Sequence, residues 1–121
     1  MTKKSRNKPT PEQIDFIIKC IEKHQVRLNL QDWRIEKSSK PASKGAMADV
    51  DISYGDRLAV IAVGNDWGGV KIDDTVLNAT ALHEVLHVFL RPLIEAARSR
   101  DDEAIEAAEH SVVVILEKLL A

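Results

Sequence analysis

At 121 residues the chain has the length of one domain, with room for one core but not for a separate substrate-binding subdomain. Its composition, 45% hydrophobic and 30% charged, excludes a disordered or fibrous protein. A net charge of −2 argues against general attraction to nucleic acid or an anionic membrane, and the single cysteine, Cys20, excludes an internal disulfide framework and suits a reducing cytoplasm.

The basic start "MTKKSRNK" has no apolar stretch behind it, so it reads as a flexible tail over residues 1–9 rather than a secretory signal or a membrane anchor. Residues 10–121 read as a single domain. Thr10 can cap a helix, Pro11 suits its first position, and Gln13 stands where a capping-box partner belongs. Ile14, Ile17, Ile18, Ile21 and Leu28 recur at helical spacing, which predicts an amphipathic helix over about residues 11–28, with Cys20 as a buried structural thiol.

Strand-like material follows. In "DWRIEK", Trp33 and Ile35 alternate with Arg34 and Glu36, and "SSKPASKG" breaks the pattern as a loop. "AMADVDISY" alternates again, with Ala48, Val50 and Ile52 on one face and Asp49, Asp51 and Ser53 on the other. The turn "YGDR" leads into the apolar run "LAVIAV", which predicts a hairpin. After the glycine-rich "GNDWGG", a helix starts at Asp73 or Asp74 and runs to about Arg98, with Pro92 expected to kink or interrupt it. A last helix spans roughly Asp101 to Leu120. The order predicts a small α+β domain: an N-terminal helix, a three-stranded, mostly antiparallel sheet, and two further helices.

The stretch "NATALHEVLHVFL" carries the chemistry. At about 100° per residue, Val76, Ala79, His83, His87, Leu90 and Ile94 fall on one stripe, so the two imidazoles stack one turn apart. Histidines at this spacing can share one metal ion, and neutral imidazole suits tetrahedral zinc. Glu84 lies on the adjoining face, where a general base could touch a metal-bound water without being a ligand. Leu82, Val85, Leu86, Val88, Phe89 and Leu93 make the helix apolar nearly all round, so it is expected to run through the core. Buried there, unpartnered polar groups would each cost about 1–3 kcal/mol, and a metal would supply the partner.

A catalytic zinc site normally has three protein ligands. On the last helix, Glu109 falls within the apolar stripe of Ile105, Ala108, Val112, Leu116 and Leu119, while His110 sits with Glu106 and Glu117 on a polar face. Glu109 is therefore the expected third ligand, with His110 next. Tyr54, His24 and Arg57 are donors of a type that could stabilise an oxyanion, and nothing in their spacing selects one.

The HEVLH helix followed by a helix bearing a glutamate resembles the gluzincin branch of the zincin metallopeptidases in minimal form. The order of elements over about residues 10–120 is also similar to small metallopeptidase-like proteins of phages and prophages and to SprT-like and ImmA-like domains. The resemblance implies a zincin-like fold and a zinc-dependent protease, with His83, His87 and Glu109 as metal ligands and Glu84 as general base toward a zinc-activated water. It also implies a peptide or protein substrate aligned along an edge strand, for which "LAVIAV" or "AMADVDIS" could serve. Absence of HExxHxxGxxH excludes a metzincin. A second functional class is a non-enzymatic interaction protein, or pseudo-enzyme, that keeps this fold around a structural metal. Neither class requires a specific nucleic acid or a membrane, and the oligomeric state is not encoded in these patterns.

Overall fold

The computed structural model describes residues 7–120, so the basic run at residues 1–6 lies outside the described residues. The elements follow in the order α1 (Pro11–Arg27), β1 (Arg34–Lys37), β2 (Ala48–Ser53), β3 (Leu58–Val63), α2 (Asp74–Ser99) and α3 (Asp102–Leu120). The class is α+β, with three helices and one three-stranded sheet among the described residues.

Helix α1 forms where its caps predict. The Thr10 hydroxyl accepts from the Gln13 amide and the Gln13 side chain accepts from the Thr10 amide, so two otherwise unpaired N–H groups are satisfied reciprocally. Its inner face buries Ile17, Cys20, Ile21 and His24 against α2. His24 is 1% exposed, and its ring is used on both edges. The Arg27 guanidinium donates to Nδ1, and Nε2 lies 2.8 Å from Asn78 Oδ1 on α2, which ties the two helices together. Ahead of α1, the Asn7 side chain donates to the Gly68 and Val70 carbonyls.

The sheet is mixed, which corrects the mostly antiparallel expectation. Strand order is β1-β3-β2, with β2 antiparallel to β3 and β1 parallel to β3. The hairpin at residues 54–57 fixes the first pairing. The second arises because the chain crosses from the end of β1, through residues 38–47, to the far side of β3. β3 is then central, as its unbroken apolar run requires: Ala59, Ile61 and Ala62 are all buried. Charged Arg34, Glu36 and Lys37 leave β1 as an exposed edge, and β2 is the other edge.

The return of the crossing loop depends on Gly64. Its amide donates to the Met47 carbonyl at 2.7 Å, and a Cβ built there would overlap the Ala46 carbonyl oxygen. The indole of buried Trp67 donates to the Gly64 carbonyl and closes the same corner. Gly64→Ala is therefore expected to push the 46–47 segment outward and cost about 1–3 kcal/mol. Thermal melts should fall by about 5–10 °C, and an unchanged melt would show that the corner yields freely.

Helix α2 is capped by Asp73, whose carboxylate accepts from the Val76 amide at 2.9 Å, and ends at Arg100 in the left-handed conformation. It continues through Pro92 rather than being interrupted. Packing of α2 against α1, β2 and α3 offsets the hydrogen bond that the proline removes. Its buried face is Leu77, Ala81, Glu84, Val85 and Val88. α3 packs against α2 through the half-buried Val112, Ile115 and Leu119, and none of its residues is fully buried. No helix among the described residues is long and apolar enough to cross a membrane.

Candidate metal centre

α2 presents His83, Glu84 and His87 to a cleft of about 370 Å³ that runs beside β2 and is lined also by Ala48, Asp49, Val50, Ile52, Arg91 and Ile94. A second, mainly apolar hollow of about 410 Å³ continues past His83 between Ala46–Ala48 and the first turns of α2, at Val76 and Ala79. Ala48, His83 and Glu84 border both hollows, so the two form one trough with the HEVLH residues at its middle.

The imidazoles meet at their tips. Nε2 of His83 and Nε2 of His87 are 3.3 Å apart, with the rings nearly perpendicular at 80°. Two nitrogens each about 2.0–2.1 Å from a tetrahedral ion must lie about 3.3–3.4 Å apart, so the pair already has the bite of a metal chelate. The same separation serves as a hydrogen bond when one Nε2 carries a proton. As a donor set the pair fits zinc in type and spacing, and it supplies two positions of the usual three.

Burial differs from the expectation. α1, β2 and α3 cover α2 on every side but the stripe that carries His83 and His87, so both are exposed while Glu84 is 5% exposed. The penalty for burial thus falls on the carboxylate, not on the imidazoles. Burial pushes the Glu84 carboxyl above the usual carboxylate range; the His83 and His87 imidazoles pull it partly back, and the Asp49 carboxylate adds to the rise. No protein hydrogen bond holds the Glu84 oxygens among the described residues, which leaves them open to water in the trough.

A raised carboxyl pKa has a definite sign in folding. Between the unfolded and the folded pKa the native state holds more protons than the unfolded chain, so stability falls as pH rises through that window. Metal-free Glu84→Gln protein should therefore melt above the parent at neutral pH, with the gap narrowing as the pH falls through the raised pKa of Glu84 toward the ordinary carboxylate range. A gap that widens on acidification would contradict the burial of an ionised Glu84.

The remaining candidates lie elsewhere. Glu109 and His110 are both exposed on α3, and no three histidine, cysteine, aspartate or glutamate side chains among the described residues converge on one point. The reason is rotational: α3 turns Ala104, Ala108, Val112, Ile115 and Leu119 inward, about 90° from Glu109. Tyr54, His24 and Arg57 do not line the trough; Arg57 instead stacks over Trp33 and Tyr54 at 5.6 and 5.4 Å. Two charged residues that line it, Asp49 and Arg91, were not singled out by sequence patterning. Arg91 carries a legible signal, being one turn beyond His87 on the same helix. Asp49 comes from a distant strand and carries none. No protein-family model, curated protein or solved structure matches the chain, so its architecture and its trough stand on their own geometry.

Proposed function

We propose that the protein is a small zinc-dependent peptidase whose centre is His83 and His87 with Glu84 as general base. The observation that carries this reading is the pair of Nε2 atoms 3.3 Å apart beside a buried carboxyl, in a trough that follows an edge strand. Zinc held by the two imidazoles would supply Lewis acidity and bring water within reach of ionisation near neutral pH. Glu84 takes the proton of the attacking water as its oxygen adds to the scissile carbonyl carbon. The same carboxyl then returns that proton to the amine nitrogen as the C–N bond breaks. Its raised pKa suits both transfers, because a base poised nearer neutrality also serves as an acid.

β3 is paired on both sides, so only β2 can offer free backbone groups to an extended peptide beside the helix. Hollows on both sides of His83 and Glu84 give room for residues on each side of the cleaved bond. Glu109 is not carried into this site. A second reading, a metal-holding interaction protein without turnover, rests on the same two imidazoles. Zinc titration followed by digestion of a mixed peptide library separates them. The peptidase reading expects about one zinc per chain, a rise in Tm that chelator reverses, and zinc-dependent cleavage. Stoichiometric zinc with no cleavage of any peptide would leave the second reading standing, and no zinc at all would end both.

A further inference from the structure

Among the described residues, Arg91 is the one lysine or arginine that lines the trough on the β2 side, and the protein gives its guanidinium a single long ion pair. Its side chain is 21% exposed, against 46%, 65% and 70% for Arg57, Arg98 and Arg34, which have carboxylate oxygens at 3.0, 3.3 and 3.0 Å. Its ion-pair partner, Glu95 Oε1 one turn further on, is 3.6 Å away, beyond hydrogen-bond range, and is shared with Arg98, from which it accepts at 3.3 Å. Asp49, the other acidic residue at hand besides Glu84, uses its Oδ2 to accept from the Ser43 amide and forms no ion pair with Arg91. Five N–H donors in a planar fork are thus held half-buried beside a trough, with one long, shared ion pair and no hydrogen-bond acceptor among the described residues.

We infer that Arg91 is a specificity residue that reads a carboxylate on the bound peptide, an inference that rests on the peptide-trough reading of the site. A guanidinium pairs with carboxylate through two parallel hydrogen bonds, and a half-desolvated one gains more from doing so than an exposed one. Ile52, Val50 and Ile94 flank it, so the aliphatic stem of a glutamate or aspartate has an apolar wall to lie against.

Position along the substrate follows from the helix. Arg91 is four residues beyond His87, about 6 Å along the axis, and an extended peptide advances about 3.4 Å per residue. The recognised carboxylate therefore lies within about two residues of the cleaved bond. β2 passes Val76 and Ala79 at its Ala48 end and Arg91 and Ile94 at its Ile52 end, so it runs in the direction of α2. A peptide paired antiparallel to β2 places its amino-terminal side at Arg91. The expected ligand is an acidic side chain just before the cleaved bond. A free chain terminus offers the same carboxylate chemistry but reaches Arg91 only when the peptide runs the other way.

The test uses zinc-loaded Glu84→Gln protein, which holds peptides without cutting them. The probes are alanine-based octapeptides, acetylated and amidated, carrying Asp or Glu at one position or Asn or Gln at the same position. A third set has the neutral sequence with a free carboxyl terminus. Acidic peptides should bind about ten- to hundredfold more tightly than their amide twins and shift the Arg91 Nε–Hε resonance. Arg91→Gln should erase the preference with an unchanged Tm, and Arg91→Lys should keep part of it. Preference for the free terminus alone would retain Arg91 as the reader and assign the chain end as its ligand. Equal binding of acid and amide twins, a preference that survives Arg91→Gln, or binding of none of the peptides would overturn the inference. Cleavage by the parent protein is scored separately. Arg91-dependent binding without cleavage removes the peptidase reading and leaves this one, whereas cleavage indifferent to acidic residues does the reverse.

Discussion

Glu84→Gln is expected to keep zinc and the fold while lowering peptide hydrolysis by about two to four orders of magnitude. Glutamine has the same length and can still sit among Ala81, Val85 and Val88, so the helix face is preserved. What disappears is the group that accepts and returns the proton. The variant should also melt above the parent when metal-free, since burial of a raised carboxyl is relieved. Loss of activity with gain of stability is a combination that misfolding cannot produce. Steady-state cleavage of a library-selected peptide, with zinc content measured on the same samples, checks it. Near-parental turnover would remove Glu84 as the base.

His83→Ala and His87→Ala are each expected to lower zinc affinity by two or more orders of magnitude, because one imidazole alone has no chelate partner. Both side chains are exposed, so metal-free stability should move by no more than about 0.5 kcal/mol. The contrast is sharpest in Tm: zinc at about a hundred times the parental Kd stabilises the parent by about 2.7 kcal/mol and either variant hardly at all. Glu109→Ala should leave zinc affinity within about twofold, because that side chain is exposed and does not converge with the imidazoles. Competition with a zinc-responsive dye gives all three affinities. A Glu109→Ala loss comparable to that of the histidines would require α3 to rotate toward the trough on metal binding.

Much of the fold was legible because its signals are local. Thr10 with Gln13, Asp73 ahead of the apolar run, and the hairpin at residues 54–57 each declare a boundary within a few residues. Pairing of β1 with β3 was not legible, since alternation in "DWRIEK" states which face is apolar and says nothing of the neighbour. The histidine spacing placed the imidazoles together correctly, as the 3.3 Å contact records. Their burial was misjudged because α2 is apolar on several faces, and periodicity cannot choose which one meets the core. The face that does carries Leu77, Ala81, Glu84 and Val88, one residue round from the histidines. The same ambiguity holds for α3, whose Val113 and Leu116 extend its apolar surface beyond the side that packs. A stripe that wide could have included Glu109 or excluded it.

α3 has a consequence for how the molecule breathes. It joins the domain through α2, contributes no fully buried side chain, and is linked by only Arg100 and Asp101. Detaching it sacrifices the half-buried contacts of Val112, Ile115 and Leu119 but none of the core formed by α1, α2 and the sheet. It therefore behaves as a separate cooperative unit whose opening takes less free energy than global unfolding. Amide protons of α3 are therefore expected to exchange with solvent through that partial opening, and those of Leu77 to Val88 only when the whole domain comes apart, an order that native-state hydrogen exchange would read.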